Sequence, residues 1–560
     1  IWFNALLTEG LYLWYMRKFL TLVAVAAVLA GTQTVLAQPR LVVHLVVDQM
    51  RADYLYRFDE QFTGGFRRLL DAGTVYRECH YTYVPTYTGP GHASLATGTD
   101  PRNHGIIAND WFDPYEDREV YCVEDAFAKP VGTTNSSSKR SPLNLRASTW
   151  TDELVLATNG KSRVYAFSMK DRGAILPGGH FARGAYWYDE QTESFVSSTF
   201  YGEALPSWLQ DYNAGQPVKR LMQGTLTPAG TRRTTTGDTT AYEKGIKGQK
   251  ARAFPYDLAA VYAAGGGDAI RRVPQGNTLL LEVGRAVLEK EQLGRGTTTD
   301  VLSLSFSTPD YMGHELGTRA VEIEDLYVRL DRELGTFLDE LDRLFGRDGY
   351  LVTLSADHGA ADNPMFLNDR GYAAEVWSDG DFAAQVQANL GTNQSIRHIG
   401  NDQVHLKPEF QTVAHAEAVA EALRKHPAVA QVWTRSELLC GTHADEQLRY
   451  NALDSRSGQV FYALKPSHLN YSTTGTTHGS GYVYDTHVPM VFYGAGVPAK
   501  EVFRKVAVKD LAPTLAHLLG TALPNACTGI PLEEVVKKRS LEGLSPLPSD
   551  GNKLGKGARK

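Results

Sequence analysis

The sequence has few cysteines, no excess of positive charge and no apolar run long enough to cross a membrane comfortably. Lysine and arginine number 57 against 63 aspartate and glutamate residues, a formal net charge of −6. This balance excludes a general polyanion-binding surface, so no nucleic-acid partner is expected. The cysteines are Cys79, Cys122, Cys440 and Cys527. Their even number permits pairing outside the cytoplasm, but free buried cysteines remain an alternative because pairing cannot be read from sequence.

The N-terminal residues are typical of an exported protein. Residues 17–37 have the pattern of a secretory signal, with basic residues at the start, an apolar stretch over Phe19–Ala30 and V-L-A ending at Ala37. The apolar stretch is too short to span a bilayer comfortably. We therefore expect no stable membrane insertion and a periplasmic or secreted location, with a retained N-terminal anchor as the alternative. Residues 1–15 lack an initiator methionine and are expected to come from an upstream start-site assignment or from cloning.

Strand and helix patterns alternate from Gln38 to about Leu532 without a long linker. Length alone would favour about three or four domains, but the alternation predicts one α/β body over residues 38–540. Apolar residues at steps of three and four predict a long helix over Ala320–Phe345 that covers the sheet. Two segments, 183–296 and 365–471, interrupt the alternation and are interpreted as insertions that roof the site. The tail over 541–560 is expected to be disordered.

Carboxylates and imidazoles follow several apolar runs at the point where each run ends. The runs Leu41–Val47, Val301–Phe306 and Tyr350–Ser355 are predicted to be buried strands. A further histidine of the same type is His478. The ligand-type residues are Asp48, Asp310, His314, Asp357, His358 and His478. In open α/β sheets ligands bind outside the carboxyl ends of the strands, so these residues can converge. Three Asp and three His make two mixed oxygen and nitrogen sites, which zinc accepts. The set predicts a two-metal hydrolase.

Thr88 stands directly before Gly89-Pro90-Gly91 at a predicted turn into a helix. Glycines allow a close backbone approach, and Pro90 suits a first helical turn. Backbone amides at such a helix start favour an anion, and a hydroxyl held by a metal becomes a nucleophile. The alternative is that Thr88 only caps the helix N-terminus. Thr86 lies nearby in the sequence and is a second candidate for the nucleophile.

Three further polar residues fit a phosphoryl group. Lys170 and Arg172 follow the predicted strand Arg163–Ser168 two residues apart, so on an extended segment both face the same way. Arg would contact non-bridging oxygens by paired hydrogen bonds and Lys as a point charge. Asn109 could donate an amide proton there without adding charge. Two cations favour a monoester dianion over a diester, although a K-x-R pair by itself is usually a solvated surface feature.

Seven short motifs occur in a characteristic order: V-V-D-Q-M-R (46–51), T-G-P-G-H (88–92), H-G-I-I-A-N (104–109), M-K-D-R (169–172), P-D-Y-M-G-H (309–314), A-D-H-G (356–359) and T-H-G-S (477–480). Together they resemble the alkaline phosphatase superfamily, and most closely its bacterial phosphate-irrepressible members with a threonine nucleophile. The resemblance extends from Arg40 to about Pro531. It implies an alkaline-phosphatase-like α/β sandwich, with a large, mainly parallel central sheet flanked by helices and capping insertions.

The resemblance also implies the cofactors and the reaction. Two Zn²⁺ ions are expected, one held by Asp48, Asp357, His358 and the Thr88 oxygen, the other by Asp310, His314 and His478. The implied activity is hydrolysis of small-molecule phosphate monoesters through a phosphothreonine at Thr88, with Asn109, Lys170 and Arg172 on the phosphoryl oxygens. An alkaline pH optimum and a monomeric state are expected. Asp485 is a candidate to orient His478, or alternatively a turn residue.

Three other functions are the alternatives to this one. A phosphodiesterase or nucleotide pyrophosphatase of the same superfamily would keep Thr88, Asn109 and the metal ligands, but Lys170 and Arg172 argue against it. A sulfatase requires a modified Cys or Ser and an Arg where this chain has Thr88 and His92. A non-catalytic, metal-stabilised binding protein would need neither a nucleophile nor a phosphate clamp.

Overall fold

The apolar runs of the sequence form the middle of a ten-stranded β-sheet. The structure is a computed structural model that describes residues 38–230, 237, 240–440 and 456–536. Every residue of the strands Leu41–Val47, Asp300–Phe306 and Tyr350–Ser355 is buried. Strands covered on both faces consist of nearly continuous apolar residues. The three strands predicted from these runs are therefore confirmed.

In chain order the ten strands are β1 (Leu41–Val47), β2 (Thr74–His80), β3 (Pro130–Val131), β4 (Val164–Ser168), β5 (Gly184–Asp189), β6 (Ser194–Ser198), β7 (Asp300–Phe306), β8 (Tyr350–Ser355), β9 (His487–Gly494) and β10 (Lys500–Ala507). Their order across the sheet is β10, β2, β9, β8, β1, β7, β4, β5, β6, β3. The five strands from β8 to β5 are parallel, as are β2 and β10. Strands β9 and β6 are antiparallel to their neighbours. The mainly parallel central sheet predicted above is confirmed.

The longer helices are α1 (Gly65–Ala72), α2 (Thr88–Thr97), α3 (Trp150–Ala157), α4 (Asp171–Gly178), α5 (Ser207–Ala214), α6 (Leu258–Gly265), α7 (Gln275–Lys290), α8 (Thr308–Leu316), α9 (Val321–Phe345), α10 (Asp379–Leu390), α11 (Val413–Arg424) and α12 (Leu511–Leu519). Helices lie on both faces of the sheet. A Cβ placed on Gly173 in α4 would lie 2.9 Å from the Ser305 hydroxyl, and one on Gly284 in α7 would lie 3.0 Å from the Leu304 side chain. Successive strand residues point to opposite faces, so α4 and α7 flank β7 from opposite sides.

Helix α9 confirms the long helix predicted over Ala320–Phe345. Its apolar stripe, which includes Leu326, Leu330 and Leu334, is buried. The helix ends before Gly346, whose φ of 68° lies in the left-handed region that glycine adopts readily. Residues at steps of three and four thus turn one face of α9 to the core.

Shorter α-helices and strand pairs lie between these elements. The short helices are Tyr54–Arg57, Pro101–His104, Pro217–Leu221, Pro364–Asn368, Arg435–Cys440 and Val483–Thr486. Two-stranded pairs are formed by Asp110–Asp113 with Arg118–Tyr121, by Thr225–Leu226 with Tyr256–Asp257, and by Glu375–Trp377 with His468–Asn470. None of the described helices is both long and apolar enough to cross a membrane.

The segment 365–471 contains its own four-stranded antiparallel sheet, which we call the cap sheet. Its strands, in spatial order, are Ile396–Gly400, Gln403–Leu406, Val460–Leu464 and Val429–Thr434. Helices α10 and α11 share an apolar cluster with this sheet, including Phe382 and Leu423. The His398 ring of the cap sheet stacks on Phe112, with the ring centroids 5.2 Å apart. The cap sheet therefore contacts the hairpin that follows Asn109.

The segment 183–296 differs from its interpretation as a roofing insertion. It supplies β5 and β6 to the central sheet and α7 to the layer that covers β7. These parts belong to the body because their apolar residues complete the main core. The boundaries of the 38–540 body as a whole stay a prediction, and residues 1–37 and 541–560 lie outside the described residues. All four cysteines are described and none is paired.

Candidate active site

The carboxyl ends of β1, β7 and β8 bring the predicted aspartates to one edge of the sheet. Val47 lies beside Phe306, and Val46 beside Ser355, so these strands end at nearly the same level. Asp48 and Asp357 therefore leave neighbouring strands close together. Both are completely buried.

Asp310 and His314 lie on one face of α8. This helix begins at Thr308 and has Pro309 in its first turn, where the missing N–H is tolerated. The four-residue spacing places His314 Nε2 3.2 Å from Asp310 Oδ1. The spacing in P-D-Y-M-G-H thus fixes two candidate ligands side by side.

Three histidines present the same ring nitrogen to the cluster. The Nδ1–H of His314 donates to Thr476 O at 2.8 Å, that of His358 to Gly359 O at 2.9 Å, and that of His478 to Thr86 O at 2.8 Å. A backbone carbonyl on Nδ1 fixes the tautomer and leaves Nε2 with a free electron pair. Each of the three imidazoles can therefore bind a metal ion through Nε2.

The six predicted ligands form one continuous cluster. The side chains of Asp48, Asp357 and His358 bring their ligand atoms within 4.8 Å of one another, and so do those of Asp310, His358 and His478. The His358 and His478 rings are stacked with centroids 3.5 Å apart. His358 therefore lies between the two groups, while His314 joins through Asp310. The division of the six residues between two metals stays a prediction.

The electrostatics of the cluster fit a divalent cation. Asp48 Oδ1 and Asp357 Oδ2 are buried and accept no hydrogen bond from the described residues. Burial raises the pKa of Asp48, and the neighbouring Asp310 and Asp357 raise it further. Burial also raises the pKa of Asp357 to about 6. Adjacent buried carboxylates are costly unless a cation neutralises them, and oxygen with imidazole nitrogen is a donor set that zinc accepts.

Thr88 directs its hydroxyl at this cluster. It is the first residue of α2, the N-cap position falls on Tyr87, and no side-chain capping bond forms. Thr88 Oγ1 lies 3.5 Å from His358 Nε2 and 3.4 Å from Lys170 Nζ. The capping alternative for Thr88 is therefore wrong. Thr86 donates its hydroxyl to Ser480 O at 2.9 Å and points elsewhere.

Glycine permits the approach of α2 to the cluster. A Cβ on Gly91 would lie 2.2 Å from Asp357 O, closer than any side chain could be accommodated without a backbone shift. The Gly89 N–H donates to Asn109 Oδ1 at 2.7 Å. This bond orients the Asn109 amide, whose Nδ2 makes no hydrogen bond with the described part of the chain and remains a donor.

Lys170 and Arg172 do not share an extended segment, contrary to the sequence-based expectation. Strand β4 ends at Ser168, Lys170 precedes α4, and Arg172 lies in the first turn of that helix. The Lys170 ammonium lies 2.7 Å from Asp48 Oδ2 and donates to Asp310 Oδ2 at 2.5 Å. The change of direction arises because Asp171 opens a helix, where successive side chains fan around the axis.

Arg172 is held by a tyrosine that the motifs did not single out. Arg172 Nη1 donates to the Tyr121 hydroxyl at 2.9 Å, and Tyr121 donates to Asp171 Oδ1 at 2.5 Å. Arg140 Nε completes the group with a 2.8 Å bond to Asp171 Oδ2. The guanidinium is therefore fixed rather than solvated, which argues against the surface reading of the K-x-R pair.

Gln49 links the two halves of the cluster and was also missed as a functional residue. Its backbone N–H donates to Asp357 Oδ1 at 3.1 Å, and its Nε2 donates to Asp310 Oδ1 at 2.7 Å. Its φ of 63° is in the left-handed region. The only sequence signal was its place directly after Asp48.

Asp485 does not contact His478. Its Oδ2 accepts hydrogen bonds from the backbone N–H and the hydroxyl of Ser480, at 2.8 and 2.5 Å. The expectation that it orients His478 is therefore wrong, because Thr86 O already holds the His478 Nδ1. Asp485 instead fixes the loop that follows His478.

Comparison with known proteins places the chain in a family. Residues 42–482 match the profile described as Type I phosphodiesterase / nucleotide pyrophosphatase. The chain is 39% identical to a Myroides odoratus protein named Calcium-transporting ATPase, covering 91% of this chain and 97% of that one. It is 39% identical to alkaline phosphatase PhoV of Synechococcus elongatus (90% and 94%) and 38% identical to alkaline phosphatase PafA of Elizabethkingia meningoseptica (93% and 99%).

A solved structure agrees with these relatives. The crystal structure of alkaline phosphatase PafA superposes with a TM-score of 0.84 at 36% identity, covering 89% of this chain and 99% of that one. The chain belongs to the type I phosphodiesterase/nucleotide pyrophosphatase family of the alkaline phosphatase superfamily. The resemblance inferred from the seven motifs is confirmed.

Proposed function

We propose that this alkaline phosphatase hydrolyses phosphate monoesters through a phosphothreonine intermediate at Thr88, with two zinc ions as cofactors. The single observation that carries the proposal is the position of the Thr88 hydroxyl, 3.5 Å from His358 Nε2 and 3.4 Å from Lys170 Nζ. A hydroxyl at the start of a helix, beside metal-type ligands and a buried ammonium, is placed to attack a bound phosphoryl group.

The donor set suggests which residues would hold the metals. Asp48, Asp357 and His358 would hold one ion, together with Thr88, and Asp310, His314 and His478 the other. When bound, a pair of zinc ions supplies positive charge to the oxygens that enter and leave phosphorus. Asp48 Oδ1 and Asp357 Oδ2 support this assignment because neither accepts a hydrogen bond from the described residues.

The chain's own residues account for the remaining steps. Thr88 Oγ attacks phosphorus, the bond from phosphorus to the leaving oxygen breaks with its electron pair, and the proton lost by Thr88 ends on that leaving oxygen. Lys170, Arg172 and Asn109 contact the non-bridging oxygens and compensate the charge that develops there. Water then attacks the phosphothreonine and releases inorganic phosphate, which restores the Thr88 hydroxyl. Substrates are small-molecule phosphate monoesters.

Two positive side chains support monoesters over diesters. A monoester dianion carries more charge on its non-bridging oxygens than a diester, so Lys170 and a fixed Arg172 favour it. The alternative function is that of a phosphodiesterase of the same family. Arg172 would stabilise a bound diester little, because a diester carries less charge on its non-bridging oxygens. Comparing turnover of p-nitrophenyl phosphate with that of bis(p-nitrophenyl) phosphate separates the two. ATP should also be included, because one relative is named an ATPase and its terminal phosphoryl group is likewise highly charged.

The decisive experiment replaces Thr88. Thr88→Ala is expected to lower kcat at least roughly 10³-fold and to abolish acid-stable phosphate incorporation from radiolabelled substrate. Thr86→Val is the matched control, since Thr86 directs its hydroxyl to Ser480 O. This variant should still incorporate radiolabelled phosphate and should remain active. Activity of the Thr88→Ala variant near the parent level would refute the mechanism. Export guided by residues 17–37 and a monomeric state complete the proposal.

A further inference from the structure

A cavity of about 520 Å³ lies between the metal-ligand cluster and the cap sheet. On one side it is lined by His478 and by Tyr87, the residue before Thr88. Asp110, the residue after Asn109, also borders it. On the other side it reaches the cap-sheet turn at Asp402. The volume exceeds that of several water molecules, so a small organic group fits beside the site of phosphoryl transfer.

Asp402 places an unpaired carboxylate in this cavity. Asn401 and Asp402 form the two-residue turn between Ile396–Gly400 and Gln403–Leu406, with φ values of 54° and 58°. Turns of this kind favour glycine at the second position, so aspartate is an uncommon choice there. The Asp402 backbone carbonyl accepts a hydrogen bond from Tyr462 N at 3.0 Å. Its carboxylate makes no hydrogen bond and no ion pair with the described residues.

Two tyrosines, Tyr87 and Tyr462, line the cavity together with Asp402. Tyr87 packs edge-on against His478 with the centroids 5.5 Å apart, and Tyr462 stacks on Phe382 at 5.0 Å. The rings are therefore fixed walls.

The charge of the cavity wall is mainly negative. Its carboxylate-bearing residues are Asp110, Glu119, Asp379, Asp402 and Asp485, whereas Lys465 is its single residue with a permanent positive charge among the described lining. Aromatic faces together with carboxylates attract organic cations, and quaternary ammonium groups most of all. A second phosphate or carboxylate would be repelled by the same wall.

We propose that this cavity is the leaving-group subsite, and that it selects alcohols carrying an ammonium or quaternary ammonium group, with Asp402 as counter-ion and Tyr87 and Tyr462 as walls. The inference rests on the proposed function. In the reaction, the Thr88 oxygen forms its bond to phosphorus as the bond to the alcohol oxygen breaks. The alcohol takes up the proton that Thr88 loses and leaves with its cationic nitrogen intact. Water later cleaves the phosphothreonine, so the sum is ester plus water giving alcohol plus phosphate.

The test uses two esters of nearly the same shape. Phosphocholine carries a positive nitrogen where 3,3-dimethylbutyl phosphate carries a neutral carbon. Calorimetry of the zinc-loaded Thr88→Ala variant should show roughly tenfold tighter binding of phosphocholine. The measurement is made at alkaline pH, because burial raises the pKa of Asp402 to about 7 and the carboxylate must be ionised. In the parent enzyme the kcat/KM ratio of the two esters should show the same preference.

Substitution of Asp402 isolates its charge. Asp402→Asn should abolish the preference for phosphocholine and leave the constants for the neutral ester within about twofold of the parent. Asp402→Gly should do the same without loss of stability, because glycine adopts the φ of 58° without strain. Asp117→Asn is the matched control. Asp117 also has a positive φ of 53° but pairs with Arg397 outside the cavity, and it should retain the preference.

The outcomes separate this inference from the proposed function. If p-nitrophenyl phosphate is not hydrolysed, the proposed function fails, while binding to the Thr88→Ala variant still decides the cavity's specificity. If the two esters bind equally, or if Asp402→Asn keeps the preference, the inference is overturned. A loss of preference in Asp117→Asn as large as in Asp402→Asn would overturn it as well, because it would indicate a general effect of surface charge.

Discussion

The guanidinium of Arg172 donates a 2.9 Å hydrogen bond to the hydroxyl of Tyr121. The Tyr121 hydroxyl in turn donates a hydrogen bond to Asp171 Oδ1 at 2.5 Å. Tyr121, which lies on the hairpin that follows Asn109, thereby orients Arg172. In the proposed function, the preference for monoesters therefore depends on a phenol that need not touch the substrate.

Replacing Tyr121 by Phe should lower kcat/KM for phosphate monoesters. Loss of one hydrogen bond to a charged group costs about 1.5 kcal/mol or more, which predicts a fall in kcat/KM of about tenfold for p-nitrophenyl phosphate. The diester bis(p-nitrophenyl) phosphate should change little, because it relies less on Arg172. Tyr115→Phe is the control, since Tyr115 is 86% exposed. Equal losses on both substrates would contradict the positioning role.

Gly91→Ala should disrupt the site through the backbone. The new Cβ would lie 2.2 Å from Asp357 O, so α2 or the Asp357 turn must move. Overpacking of this kind costs about 1–3 kcal/mol of unfolding free energy, and the moved Asp357 should lower activity at least about tenfold. Gly296→Ala is the control because its Cβ would meet nothing within 4 Å. Urea unfolding and kcat measure the two effects, and a fully active, equally stable Gly91→Ala protein would disprove the argument.

Gln49→Leu should loosen metal binding with little effect on the fold. The substitution keeps the side-chain size but removes the 2.7 Å hydrogen bond to Asp310 Oδ1. Loss of a group that orients a metal ligand typically weakens metal affinity about 10–100-fold. Competition with a chelator, followed by elemental analysis, measures the change. Gln385→Leu on the exposed face of α10 should behave as the parent, and an unchanged affinity in Gln49→Leu would show that Asp310 is held by other contacts.

Removal of metal should abolish activity and lower thermal stability together. Without a cation, the Lys170 ammonium lies beside Asp48 and Asp310, but Asp310 and Asp357 still raise the pKa of the buried Asp48, and repulsion among these carboxylates destabilises the folded state. Dialysis against a chelator should lower both kcat and Tm, and zinc should restore both. Elemental analysis is expected to give two zinc ions per chain. A fully active protein after complete metal removal would exclude the assigned cofactors.

His180 should contribute stability that disappears as the pH rises. Its Nδ1 donates to Asp152 Oδ2 at 2.8 Å. Burial acts to lower the pKa of His180, but the hydrogen bond and charge of Asp152 outweigh it and leave that pKa raised. The contribution is therefore complete below the unfolded value of about 6.5 and is lost as the pH rises through the folded pKa.

His180→Asn measures this contribution directly. Its deficit in unfolding free energy relative to the parent should be larger at about pH 6 than at about pH 9, by no more than about 1 kcal/mol. Urea unfolding at the two pH values gives the difference. The exposed His517→Gln serves as control. A deficit that does not vary with pH would show that the imidazolium is not stabilised in the folded state.

Much of the site could be predicted because parallel strands bring their carboxyl ends together. Asp48 and Asp357 follow apolar runs that had to be interior strands, and Asp310 with His314 share a helical face by spacing alone. The sequence could not show that Gln49 bridges Asp357 and Asp310, since those contacts join residues 308 and 261 positions apart. Such bonds depend on how whole strands pack.

By itself, the order of motifs determined the superfamily, the central sheet and the set of ligand-type side chains, because hydrophobic periodicity and local spacing are properties of short segments. Only the tertiary structure decided that β5, β6 and α7 belong to the body. It alone shows that Arg172 donates a hydrogen bond to Tyr121, and that Asp402 lines a cavity beside His478. Those relationships arise when distant segments exclude water from one another, and no local pattern encodes which surfaces will meet.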